Sequence, residues 1–162
     1  MPTTWTDQER IDAQRRTVKR HMDAENSHDY DIVNKTFVQG DRAYYQVAAG
    51  GTEFEGIRGV EEFYVLLDKV LPDLRWTVTH EYDVPGCSIR EGTATGTHSF
   101  EFAGVPASGN FVSFEVAAFY IFDEDEPDKL IAERAYWDND ALIRQFKGEK
   151  TPSLDLARSG RR

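Results

Sequence analysis

At 162 residues, with 40% apolar and 30% charged side chains, the chain has the length of one ordinary domain and the balance of a packed one, which excludes a second full domain and a disordered chain. A formal charge of −10 and a pI near 4.8 argue against a nucleic-acid binder or an anionic-membrane binder, both of which need basic groups. The only cysteine, Cys87, allows no internal disulfide and no Cys/His spacing reads as a zinc site, so a cytoplasmic protein without a structural metal is expected.

The opening Met1–Asp7 lacks the basic start and apolar run of a signal peptide, and no stretch approaches the ~20 apolar residues that span a bilayer. Thr6 followed by Glu9 is a capping-box pattern, which predicts a first helix running to about Asn26. Its apolar face, Ile11, Val18 and Met22, is thin, and Gln14, His21 and Glu25 fall on or beside it. Those polar groups either line the mouth of a pocket or lie on the surface. Tyr30, Val33 and Phe37 mark a short second helix, entered at Asp29 or Asp31 and ended near Gly40. Ala43–Val47 reads as a strand. From Gly59 to Leu71 the residues Val60, Phe63, Tyr64, Leu67, Val70 and Leu71 form one stripe of a third helix, which Pro72 stops.

Beyond Pro72 the period drops to two. Leu74, Trp76, Val78, His80, Tyr82 and Val84 alternate with polar residues up to a Pro85-Gly86 turn. Further strands are predicted over Ile89–Phe102, Phe111–Phe122 and Leu130–Trp137, with Gly104–Asn110 as a loop and the acidic Asp123–Asp128 as a solvated turn. A helical stretch, Ala141–Phe146, closes a single domain over residues 1–148, and residues 149–162 are expected to be a flexible tail. Helices first and antiparallel strands afterwards predict an α+β fold rather than alternating β and α units.

Three segments carry a resemblance to a known family. They are Val18–Asn26 with Asp29 and Phe37; Phe54-Glu55-Gly56-Ile57-Arg58-Gly59 through to Pro72-Asp73-Leu74; and Gly96-Thr97-His98-Ser99-Phe100-Glu101-Phe102-Ala103-Gly104-Val105-Pro106, answered by Trp137-Asp138 and Leu142–Phe146. Over about Thr17–Phe146 the chain resembles the SnoaL-like polyketide cyclases, a branch of the nuclear transport factor 2-like superfamily. The resemblance implies a cone-shaped, curved antiparallel sheet wrapped by N-terminal helices around a pocket, pairing into a homodimer through the sheet, and no cofactor or metal. It also implies acid/base chemistry on a small hydrophobic carbonyl compound, with an aspartate and a histidine serving an aldol ring closure at positions that map onto Asp138 and His98.

Read from the residues, Asp138 is either a partly desolvated general base or the N-cap of the helix after it. His98 shares its parity with Ala94, Gly96, Phe100 and Phe102, and is either a neutral donor to an enolate oxygen or a satisfied core histidine. Glu115 and Arg134 make a candidate ion pair that shapes the substrate site. With Asp138 they also supply the acid–arginine–acid set of an epoxide hydrolase. His21, Trp76, Tyr45 and Tyr136 complete the expected substrate-binding set, as a polar rim and an aromatic wall. A dehydratase, an isomerase and a non-catalytic binding module are the alternatives, the last with Phe100, Phe102, Phe114 and Tyr120 forming a sheet face for a second copy.

Overall fold

Thr6 and Glu9 close the capping box as expected. Glu9 donates its N–H to Thr6 Oγ1 at 3.2 Å while the Thr6 N–H reaches Glu9 Oε2 at 2.8 Å. In the computed structural model, which describes residues 5–150, this cap starts α1 (Asp7–Asn26). Gln14, His21 and Glu25 are all buried on its inner face. The tail expectation over residues 151–162 lies outside the described residues.

α2 (Tyr30–Lys35) is shorter than its apolar spacing predicts. The backbone of Thr36 and Val38 bonds to Leu130 instead of continuing the helix, with Leu130 N to Thr36 O at 2.9 Å and Val38 N to Leu130 O at 2.8 Å. A backbone group already paired with a strand has nothing left to give a helix. β1 (Tyr44–Val47) and β2 (Thr52–Glu55) then form a small hairpin closed through Gly51, whose φ of +65° suits glycine. The periodicity did not predict β2, because four mostly exposed residues hold no alternating pattern. α3 (Gly56–Val70) buries the predicted stripe.

β3 (Arg75–Val84), β4 (Cys87–Thr97), β5 (Phe111–Phe122) and β6 (Leu130–Tyr136) follow, and α4 (Asn139–Phe146) packs back on the sheet. The six strands form one sheet in the order β2-β1-β6-β5-β4-β3. Every pairing is antiparallel except β1 with β6, a correction to the purely antiparallel expectation. Strands this far apart in the chain are not bound by a hairpin, so either direction is open to them. β4 ends at Thr97 and not at Phe102. Its N–H and hydroxyl are both taken by the Asp73 carboxylate at 2.6 Å, and the Ser99 N–H turns away to Val70 O.

The acidic turn also differs from its solvated reading. Asp123 is buried, accepts from the N–H groups of Asp125 and Glu126, and meets Arg42 at 2.6 Å. Among the described residues no helix is long and apolar enough to cross a membrane. The helices cover one face of the sheet, and the core lies between them.

Candidate functional site

Strand alternation decides which side chains meet under the helices. Tyr45 on β1, Glu133 and Ala135 on β6, Phe114 and Val116 on β5, Ala94 on β4 and Trp76 on β3 all point to the covered face. With Phe63 and Leu67 of α3 and Leu142 and Phe146 of α4 they line a cavity of about 330 Å³. That lies at the lower end of the range of small-molecule sites. Thr52 and Ala103, both exposed, stand where it meets solvent. The walls are apolar. Among the described residues Glu25 and Glu133 are the only carboxylates lining it, and no Lys, Arg or His lines it.

Glu133 is anchored from two helices, α1 and α3. Tyr64 donates its hydroxyl to Glu133 Oε2 at 2.8 Å, and His21 Nε2 lies 3.2 Å from the same oxygen and 3.1 Å from Tyr64 Oη. Thr36 sets the histidine's tautomer. Its hydroxyl hydrogen goes to Val33 O at 2.6 Å, so its oxygen accepts from His21 Nδ1 at 2.9 Å. Nε2 is then the nitrogen left facing the acid.

Glu25 is built differently. It is buried, and its Oε2 has no hydrogen-bond partner among the described residues. Burial, and then the charge of Glu133, push its carboxyl well above the ordinary carboxylate value of 4.5, which favours the protonated form. Burial, reinforced by the charges of Glu133 and Glu25, likewise holds the hydroxyls of Tyr45, Tyr64 and Tyr120 well above their usual range. The floor of the cavity thus pairs a hydrogen-bonded acid with a protonated, unpartnered one, the kind of division that acid/base chemistry uses.

The raised Glu25 has a consequence for stability. The folded chain keeps a proton that the unfolded chain releases above about pH 4.5, so its contribution is whole below that pH and is lost as pH rises through the folded value. Glu25→Gln removes this titration. Thermal melts should show the variant gaining on the wild type as pH rises above about 4.5.

Of the residues expected to form the site, Trp76 and Tyr45 line the cavity, and His21 sits behind Glu133. The remaining positions are corrections. Arg134 and Tyr136 alternate with Glu133 and Ala135, and so point out of the opposite face. Tyr136 is 44% exposed and packs on Phe119. Glu115 is exposed on that face and accepts from Thr93 Oγ1 at 2.9 Å. No ion pair joins it to Arg134 among the described residues, so the acid–arginine–acid set does not face the cavity. Phe102 and Phe114 line the cavity, Tyr120 is fully buried, and Phe100 packs under Lys69, so these four do not form an outer sheet face.

Asp138 is exposed and caps α4, with Oδ1 accepting from the Ala141 N–H at 2.9 Å. His98 is buried and stacks on Phe146 with ring centroids 3.9 Å apart, and its Nδ1 meets Ser108 Oγ at 2.9 Å. Burial pushes the imidazole below its usual range, which keeps it neutral at pH 7. The two therefore flank opposite ends of α4, about 12 Å apart along its axis. Neither lines the cavity. Asp138→Ala should cost about 1 kcal/mol as a lost N-cap and Asp138→Asn much less, by chemical denaturation, because asparagine caps nearly as well.

Glu133 and Tyr64 were missed from the sequence. The signal was there: Ile131, Glu133, Ala135 and Trp137 share one parity, and a single acid interrupts it. Tyr64 was hidden inside an apolar stripe. No cluster of three or more His, Cys, Asp or Glu side chains suited to a metal ion occurs among the described residues.

Comparison with known proteins adds the following. A family model described as SnoaL-like polyketide cyclase matches residues 15–146. No curated protein matches the chain significantly in sequence. Solved structures share the fold. A protein from Jannaschia sp. CCS1, provisionally assigned as a SnoaL-like polyketide cyclase, aligns with a TM-score of 0.75 at 20% identity, over 86% of this chain and 95% of that one. AclR from Streptomyces galilaeus, provisionally assigned as a hydroxylase, aligns with a TM-score of 0.71 at 19% identity, over 92% and 90%. IdmH from Streptomyces antibioticus, provisionally assigned as a polyketide cyclase, gives 0.67 at 19% identity, over 83% and 98%.

Proposed function

The chain belongs to the SnoaL-like polyketide cyclase family, and from that premise we propose that it binds a small, largely apolar carbonyl compound in the cavity and closes a ring by aldol-type acid/base chemistry. What carries the reading is the pair of unlike acids, Glu25 and Glu133, on the floor of an apolar cavity. Glu133 takes the proton from the carbon next to a carbonyl. The resulting enolate carbon attacks a second carbonyl of the same molecule, and Glu25 gives its proton to the new alkoxide. The floor then holds as many protons as before, and proton exchange when the product leaves returns each to its starting acid. Desolvation by the apolar walls strengthens both steps.

This assignment replaces the aspartate–histidine pair as the acting groups. Asp138 keeps the role of helix cap and His98 that of a neutral ring supporting Phe146. A cytoplasmic location, resting on the lone Cys87 and the acidic surface, and a homodimer are parts of the same proposal. For the dimer we place a second copy on the outer sheet face around Phe119 and Tyr136, and Tyr136→Glu should turn the sedimentation profile to a monomer.

The test is a panel of polycyclic ketones, small β-keto esters and epoxides, followed by thermal shift and then by turnover. Stabilisation and ring closure with ketones supports the proposal. Water-derived oxygen in a product would replace it with hydrolysis, and tight binding without turnover would leave a binding module.

A further inference from the structure

The cavity sets two carboxyl groups among aromatic walls, and among the described residues nothing positive lines it. Tyr45, Phe63, Trp76, Phe114 and Trp137 line the same cavity as Glu25 and Glu133. Tyr64 donates to Glu133 and His21 lies against it, but among the described residues nothing hydrogen-bonds to Glu25 Oε2. The nearest buried guanidinium on the covered face, Arg90, is already committed to Asp83 at 3.0 Å. A buried carboxyl without a partner has two remedies, a proton or a cation brought by a ligand. Rings around such a carboxyl favour the second, because an ammonium over an aromatic face gains most where water is absent.

We propose that the cavity is also a receptor for hydrophobic ammonium compounds, whose cation displaces the proton of Glu25 and lies between its carboxylate and the surrounding rings. The inference rests on the cavity being the ligand site, and not on any catalytic step. Binding is an exchange: the ligand's positive charge enters and one proton leaves to solvent, so the net charge of the floor is unchanged. The titratable groups that bear on Glu25 are Tyr30 of α2, Tyr45 of β1, Tyr64 of α3, Tyr120 of β5 and Glu133 of β6. Burial holds the tyrosine hydroxyls well above their usual range, and Glu25→Gln isolates the proton that Glu25 supplies.

Calorimetric titration with 2-naphthylmethylamine and its neutral isostere 2-naphthalenemethanol tests this, at pH 6, 7 and 8 and in two buffers of different ionisation enthalpy. The amine is expected to bind at least tenfold more tightly than the alcohol at pH 8. It should release about one proton, and its affinity should climb by up to tenfold per pH unit while Glu25 holds that proton. The alcohol should release none. Glu25→Gln should abolish the preference and the release while leaving alcohol binding. Equal affinities, no proton release by the wild-type protein, or a preference that survives Glu25→Gln would each overturn the inference alone. Failure of both compounds to bind would overturn it together with the reading of the cavity as a ligand site.

Discussion

Replacing Glu133 by Gln is expected to lower turnover by roughly 10²–10⁴-fold, the usual contribution of a positioned general base, with KM little changed. Glutamine keeps the size of the side chain and still accepts from Tyr64, so the pocket should hold its shape. What it loses is the ability to take a proton. The same variant should shift the pH dependence in a defined direction. The charge of Glu133 is one of the two causes that raise Glu25, so removing it should lower the pH at which Glu25 gives up its proton. A pH–rate profile or a pH series of thermal melts reads this directly. Asp138→Asn is the contrasting variant, because Asp138 is exposed and caps α4. Near wild-type turnover is expected there, and loss of turnover in Asp138→Asn with retention in Glu133→Gln would reverse the assignment.

Gly92→Ala is expected to be the most damaging small substitution in the sheet. A Cβ at Gly92 would run into the Thr77 carbonyl oxygen and lie 2.8 Å from Trp76 Cζ3. Neither neighbour can yield cheaply. The carbonyl belongs to the β3 ladder next to the register shift between Val78 and His80, and Trp76 is a buried cavity wall. Overpacking at such a position costs about 3 kcal/mol or more, which at this length lowers Tm by about 6–12 °C. Because the bulge and the absent side chain bring β3 close over β4, the same variant should displace Trp76 and weaken ligand binding beyond the loss of stability.

The elements were legible wherever one periodic pattern ran long enough. The stripe from Val60 to Val70, the alternation from Trp76 to Val84 and the run Phe111–Phe122 were each read as the helix or strand that forms. Boundaries moved where a tertiary bond competed with local propensity, at Thr36 against Leu130 and at Thr97 against Asp73. The motif residues His98 and Asp138 were legible as positions. Their places against Phe146 and at the head of α4 were not, because a dipeptide such as Trp137-Asp138 reads the same whether its acid is a base or a cap.

By itself the sequence determined the fold class, the order of the elements and the two faces of each strand, since period and capping chemistry are local properties of the chain. It also separated Glu133 from Arg134 by parity. Only the tertiary structure decided which of those faces is covered. That choice depends on the side of the sheet on which α1, α3 and α4 come to rest, and it makes a buried acid of Glu133 and an outward-facing residue of Arg134. The proton state of Glu25 was likewise beyond the sequence, because desolvation and the charge of Glu133 act through space across more than one hundred residues of chain.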